Sequence, residues 1–243
     1  MTDHHIHIGQ FNEVYYDAHS VFEAISQSAE KYGINEVHYS STSSCRYDVE
    51  LFRIEEEIEY AQHFQSSILK VRPYFWAVPS YFENQMNFEG AMEKFNYCGI
   101  KIHPFAHKWN LKNPIHRKAL EQIFSYSEHY RKSVLIHTGG LKSCLPNRFE
   151  TFFKKFSDAP IILAHCTPVK NTVEMLRKYP QIKADISFVE SENISRMISE
   201  GLKHKLLFGT DFPVTHYVVE KKVSLTQQYE NDCKNLQMIS KKW

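Results

Sequence analysis

Side chains that bind divalent metal ions recur in this chain at the ends of short apolar runs. Asp3-His4-His5-Ile6-His7 stands at the N-terminus, and Val134-Leu135-Ile136-His137 and Ile161-Ile162-Leu163-Ala164-His165 follow. Leu206-Leu207-Phe208-Gly209-Thr210-Asp211 lies near the C-terminus. Imidazole nitrogens and carboxylate oxygens hold zinc and its neighbours, and a catalytic site leaves one position open for water or substrate. Singly, each run has an ordinary reading: an exposed histidine pair, a core histidine at a strand end, a helix-capping aspartate. Together, His5, His7, His137 and Asp211 make a ligand set.

Such a set works only if the chain gathers it. Side chains alternate faces along a strand, so His5 and His7 share a face, and parallel strands closed into a barrel bring all the run ends to one rim. Strand-like and helix-like segments alternate through the chain, the signature of βα units, and eight of each can be counted. Strands are expected at 3–8, 36–40, 71–78, 99–103, 133–137, 161–165, 182–187 and 205–209. Amphipathic stretches near 19–32, 50–66, 86–96, 115–131, 147–157, 168–178, 190–201 and 223–239 have helical period. Pro168 suits the first position of the sixth helix, while Gly33 and Gly201 suit C-terminal caps. Ser40-Ser41-Thr42-Ser43-Ser44 reads as the loop after the second strand. The fold class expected is α/β, an eight-stranded parallel (β/α)8 barrel with some distortion, and its alternation places Ser133, Leu135, Ile161, Leu163, Leu207 and Gly209 on the inner face.

Composition narrows the function classes. A length of 243 residues suits one barrel domain spanning 1–243. With 29 Lys plus Arg against 28 Asp plus Glu, no global field recruits a nucleic acid. Cys45, Cys98, Cys144, Cys166 and Cys233 are an odd number without CxxC spacing, which points to a reducing cytoplasm rather than a disulfide framework. Cys166 reads as buried packing. No apolar stretch approaches the roughly 18 residues of a membrane span, and the first ten residues lack signal-peptide character.

His5-Ile6-His7, Gly99-Ile100-Lys101-Ile102-His103-Pro104, His137-Thr138-Gly139-Gly140, His165 and Phe208-Gly209-Thr210-Asp211-Phe212-Pro213 together resemble the amidohydrolase superfamily. More narrowly, they look like its amidohydrolase-related branch, which contains relatives of aminocarboxymuconate-semialdehyde decarboxylase. The resemblance implies a β/α barrel in which the first-strand His pair, the fifth-strand His and the eighth-strand Asp hold a divalent metal, usually zinc, with the sixth-strand His165 beside it. It implies hydrolysis of an amide, lactone or ester, or metal-dependent non-oxidative decarboxylation of a small unsaturated or aromatic acid, and by analogy a homodimer. In some members a fourth-strand lysine is carbamylated and bridges two metals. Lys101 fits that position, and as a cation it joins a metal shell only after capture of carbon dioxide makes it an anion. Otherwise it binds a substrate carboxylate or forms an ion pair, so one ion and two both stay open. A TatD-type deoxyribonuclease shares the His pair but would carry glutamate where this chain has Lys101.

In the expected chemistry the metal lowers the pKa of water from about 15.7 to about 7. Asp211 orients that water and moves its proton, and His165 either binds a second metal or polarises the substrate carbonyl. His103, Asp185, Ser187, Trp76, Phe105, Trp109 and Arg148 lie at or just beyond strand ends, where substrate contacts are recruited. Arg148 and Lys101 are the candidates for gripping a carboxylate. For Lys101, His103, Asp185 and Ser187 a hydrogen bond that merely orients a ligand is the plainer role. His107, His116, His129, His204 and His216 are expected at the surface. The partner is a small-molecule substrate, and a catalytically silent, metabolite-binding barrel is the reading from outside enzymology.

Overall fold

A computed structural model describes residues 1–45, 51–64, 66–219 and 222–240. Position 50, where the second helix is expected to open, lies outside the described residues, as does position 65 near its end. The strands are β1 (Thr2–Phe11), β2 (Val14–Tyr16), β3 (Glu36–Ser41), β4 (Lys70–Ala77), β5 (Gly99–Ile102), β6 (Ser133–His137), β7 (Ile161–Ala164), β8 (Ile182–Asp185) and β9 (Leu206–Leu207). They form one sheet in the order β2-β1-β3-β4-β5-β6-β7-β8-β9, parallel throughout except for the β1–β2 hairpin. The ends of the parallel series meet. His4 N donates to Phe208 O at 3.0 Å, His7 N to Phe212 O at 2.7 Å, and Asp211 N to His5 O at 2.7 Å. These bonds close a distorted α/β barrel, with the hairpin as an added edge.

Two apolar assemblies hold it together. The larger lies between sheet and helices and takes outward-facing residues such as Val37, Ile100, Val134, Ile136, Ile161 and Leu163 with Val21, Phe22, Leu120 and Phe124 from the helices. The smaller fills the barrel itself and consists of Tyr74, Leu135, Ile162 and Ala164, with Leu207 against them. Membership of the second corrects the expected parity of the sixth βα unit. Ile162 pairs with Leu135 and Ala164 with His137, so Ile162 and Ala164 face inward and Ile161 and Leu163 face the helices. By strict alternation His165 would then point outward, as Leu163 does. It turns inward because the strand has ended and both His165 (φ 67°) and Cys166 (φ 47°) are left-handed.

The helices follow the apolar stripes with local adjustments. Ala18–Tyr32 is capped by the Asp17 carboxylate, which accepts from Ser20 N at 2.8 Å, and ends at Gly33 in the left-handed conformation. Pro168 is the N-terminal cap of Val169–Lys178 rather than its first residue. The stretch expected near 147–157 is a 3-10 turn, Pro146–Phe149, running into the short helix Glu150–Lys155. The serine tract continues β3 to Ser41 before a 3-10 turn at Thr42–Cys45. The hairpin strand β2 and the helices Pro79–Glu83 and Val214–Val218 are too short to leave a periodic signal. Among the described residues no helix is long and apolar enough to cross a membrane.

Barrel closure needs small residues where large ones lean inward. A Cβ added at Gly99 would sit 2.1 Å from a ring carbon of the fully buried Tyr74 and 2.6 Å from Ser133 O. Gly99→Ala is expected to destabilise the protein by about 1–3 kcal/mol, the usual cost of overpacking. Chemical denaturation checks this, and an unchanged midpoint would show that the Tyr74 ring has room to retreat.

Candidate metal centre

The strand β1 is irregular where the site begins. Its pairing with β3 shifts register between Asp3 and Ile6, a bulge that sends the consecutive His4 and His5 to the same side of the sheet. His4 packs edge-on against His38, 5.0 Å between ring centroids, while His5 and His7 meet higher in the barrel at 5.0 Å. Asp211 comes up beside them in the left-handed conformation (φ 59°), which aspartate tolerates better than most residues. The buried Asp3 carboxylate holds that turn. It accepts from Thr210 N at 3.2 Å, Thr210 Oγ1 at 2.7 Å, Tyr229 Oη at 3.2 Å and His5 N at 3.2 Å. Gly209 lets the walls approach, since a Cβ there would lie 3.1 Å from Asp185 Cβ and 3.2 Å from His5 Cβ.

Three ligand-type atoms converge. His5 Nε2 and His7 Nε2 are 3.2 Å apart, and each is 3.0 Å from Asp211 Oδ1. Hydrogen-bond logic strips the protons from the converging nitrogens. His5 Nδ1 faces the Asp185 carboxylate at 2.9 Å, and His7 Nδ1 faces Ser40 O at 3.2 Å, so each Nδ1 carries the hydrogen and each Nε2 presents a lone pair. Burial pushes the His5 imidazole pKa down to about 4, the Lys101 charge adds to this, and Asp211 and Asp185 oppose it. Burial would raise the Asp211 carboxyl, but His5, His165 and His7 hold it well below the usual carboxylate range. Three ligand-type atoms thus face one point in a buried space, where positive charge, from a metal ion or from a proton taken up by the imidazoles, relieves their crowding. A tetrahedron of zinc–nitrogen bonds of about 2.0–2.1 Å has edges of about 3.3–3.4 Å. The observed separations are a slightly contracted version of that face, so these residues fit a divalent metal.

Lys101 Nζ stands 2.7 Å from His5 Nε2, fully buried, with the Trp76 ring 5.8 Å away. Asp185 is the hub on the other side. Besides His5 Nδ1 it accepts from Ser187 Oγ at 2.5 Å and Ser187 N at 2.9 Å. Ser187 Oγ, having donated to Asp185, accepts from His165 Nδ1 at 2.8 Å. His165 Nε2 is therefore bare and accepts from His137 Nδ1 at 3.2 Å, which leaves the His137 Nε2 lone pair toward the mouth. His137 stacks on His103 at 3.8 Å, and His103 lies parallel to Trp76 at 6.4 Å.

The expected site residues thus separate into neighbouring groups. His5, His7 and Asp211 form the tight triangle, with Lys101 on its flank. His137 and His165 pair beside it, and the His5 and His165 ring centroids are 5.1 Å apart. His103 and His137 also approach Cys144. Asp185 is buried and turned to His5, 2.9 Å from its Nδ1, and with His5 and His165 it forms a second group of ligand-type atoms. Arg148 is exposed, with Nη1 3.4 Å from Lys142 O. Trp109 is buried and Phe105 is exposed. Cys166 is buried, its thiol donating to Asp185 O at 3.0 Å. The surface assignment fails for three histidines. His107 is buried against Trp76, His116 is buried and bonded to Glu83 at 2.8 Å, and His216 is buried between Tyr16 and Val223. Spacing cannot show this, because loops and short helices fold over the rim. Asp3 and Ser40 were not singled out from sequence. Asp3 was legible only as part of the first His-rich run, and Ser40 was hidden in the serine tract.

The buried imidazoles make the metal-free protein acid-labile. His4, His5 and His107 have folded-state pKa values pushed down to about 4 by burial, against about 6.5 unfolded. Between those values the unfolded chain binds more protons, so their contribution is complete above about pH 6.5 and is lost as pH falls toward 4. Asp3, raised by burial to about 7, and Asp232, raised by burial to about 6, work in the opposite sense and are outnumbered. The denaturant midpoint of the metal-free protein is expected to be lower at pH 5 than at pH 7. Equal midpoints would mean that these imidazoles are solvated.

Comparison with known proteins extends this geometry. The chain superposes on N-acetylneuraminate lyase from Mycoplasma synoviae in crystal form II with a TM-score of 0.56 and 10% identity, covering 95% of this chain and 80% of that one. Crystal form I gives a TM-score of 0.55 at 10% identity, with 95% and 79% covered. At that identity the likeness is one of fold. Among curated proteins none matches. The amidohydrolase family model matches residues 70–222, a span holding Lys101, His137, His165 and Asp211 but not His5 and His7, whose place in the site rests on the geometry above. That match takes in more than half of the sequence, and the chain belongs to the amidohydrolase family.

Proposed function

We propose that this chain is a metal-dependent hydrolase of a small carbonyl compound, an amide, lactone or ester, within the amidohydrolase-related branch. The observation that carries the reading is the triangle of His5 Nε2, His7 Nε2 and Asp211 Oδ1, three ligand-type atoms 3.0–3.2 Å apart at the C-terminal rim of a barrel. His5, His7 and Asp211 would hold a divalent ion, zinc by the donor types, and when bound it supplies Lewis acidity toward a carbonyl oxygen and acidifies water. Asp211, ionised at neutral pH, accepts a proton from the attacking water and returns it to the leaving group. Asp185 keeps His5 in the tautomer that ligates, and the Asp3–Thr210 bonds keep Asp211 in reach. His137 offers its bare Nε2 on the substrate side, and His165 orients it. Trp76 borders His7 and has a buried indole N–H with no partner among the described residues, so it has a hydrogen bond to give a substrate.

The reading takes one ion per chain. Lys101 as an amine flanks His5 and positions the substrate oxygen, and two ions per chain would instead indicate a carbamylated Lys101 with His165 on the second. Elemental analysis of the purified protein separates these. Chelation is expected to abolish turnover of lactones, esters or amides, and added zinc to restore it. Asp211→Asn is expected to lower turnover about a hundredfold or more with the fold intact. Near-normal turnover would remove the proton-transfer role. Asp185→Ala is expected to weaken metal affinity about 10–100-fold, measured by competition with a chelator. Release of carbon dioxide from unsaturated or aromatic acids, without addition of water to any carbonyl compound, would overturn hydrolysis in favour of decarboxylation.

A further inference from the structure

Beside the His5–His7–Asp211 cluster lies a cavity of about 260 Å³. Phe188, Val189, Val218 and Val219 give it apolar walls, and Asp232 is the only ionisable residue among the described residues lining it. The cavity adjoins the site already described. Ser187, whose hydroxyl holds His165, is part of its lining, and so is Thr210, the residue before Asp211. The Phe188 ring, 5.8 Å from that of His165, is a wall common to both.

Asp232 is held in place without being neutralised. Thr215 Oγ1 donates to its Oδ2 at 2.6 Å and Gln228 Nε2 to its Oδ1 at 2.8 Å. A carboxylate has about four lone-pair sites, so two protein donors leave acceptor capacity on each oxygen. Burial pushes its pKa up to about 6, the Thr215 and Gln228 bonds oppose that, and no cation of the described chain contributes. A half-buried carboxylate with two neutral donors gains more from a cation than from a third neutral donor. An anion would meet both Asp232 and the nearby Asp211. The volume is below the roughly 300–1,000 Å³ of pockets that enclose a whole drug-sized ligand, so it suits one arm of a substrate.

We propose that this cavity receives a cationic amine carried on a short apolar arm of the substrate, with the ammonium accepted by the Asp232 carboxylate and the arm lying along Phe188 and the valines. The proposal builds on the hydrolytic reading of the metal site, and its binding test does not depend on turnover.

The test is calorimetric titration of the full chain, with and without zinc, using n-butylammonium, n-butanol and butyrate as probes. Butylammonium is expected to bind about tenfold or more tighter than butanol, and butyrate not at all. Asp232→Asn should remove that preference. Val218→Phe, a change at a largely exposed wall residue, should weaken butylammonium by filling the cavity, and it serves if Asp232→Asn fails to fold. Equal affinity for the amine and the alcohol, amine binding that needs zinc, or amine binding that neither variant reduces would overturn the proposal. In turnover, esters with a terminal ammonium should exceed their uncharged isosteres about tenfold in kcat/KM, and Asp232→Asn should bring the ratio near one. Turnover of uncharged esters without amine binding overturns the pocket alone. Selective amine binding in a protein that hydrolyses nothing overturns the hydrolytic reading and leaves the pocket standing.

Discussion

Three lone pairs aimed at one another are the constraint around which the barrel rim is built. His5 Nε2, His7 Nε2 and Asp211 Oδ1 lie 3.0–3.2 Å apart in a buried setting, where unshared electron pairs repel and water cannot screen them. Such a contact is stable only with positive charge at its centre or on its flank, and Lys101 at 2.7 Å from His5 supplies the flank. Each structural irregularity nearby serves this convergence. The bulge in β1 brings His5 to the inner face, and left-handed backbone at Asp211 turns its carboxylate inward. The Asp3 carboxylate ties β1 to the Thr210 turn. Backbone in that region costs energy for a non-glycine residue and persists where surrounding bonds overdetermine it.

Asp185 connects the triangle to the rest of the mouth. Its two oxygens reach His5 on one side and the Ser187–His165–His137 series on the other, so one buried carboxylate sets the tautomers of His5, His165 and His137. The direction of each hydrogen bond follows from the fact that an ionised carboxylate only accepts. His137, at the expected strand end, is the last member of that series and pairs with His165. The roles at the rim are separate. Metal-type donors lie between β1 and the turn after β9, stacked rings over β4 to β6, and the Asp232 cavity outside β8 and β9.

How much of this could be read from residues alone is uneven. The run-and-helix alternation is legible because parallel strands buried on both faces must be rich in Val, Ile and Leu, and the strand positions lie close to those expected. The ligand candidates are legible because each closes an apolar run, and strand ends on one rim bring them together. Short elements were not legible: β2, Pro79–Glu83 and Val214–Val218 have too few residues to show a period. The inner face of β7 was misread because its counting assumed that alternation continues through His165, whereas the backbone turns left-handed there. The burial of His107, His116 and His216 depends on which loop folds over which strand end, a long-range fact absent from local pattern.

The sequence by itself determined the class of architecture and the kinds of atoms available at its rim, because periodicity and residue chemistry are local properties. The tertiary structure alone decided which imidazoles meet Asp211, which proton sits on which ring nitrogen, and that the Asp185 carboxylate is turned to His5. Those outcomes depend on distances of 2.5–3.4 Å between residues up to 207 positions apart, set by barrel closure and one bulge. No spacing in a linear chain encodes a hydrogen-bond direction; it appears only when donor and acceptor share a buried space.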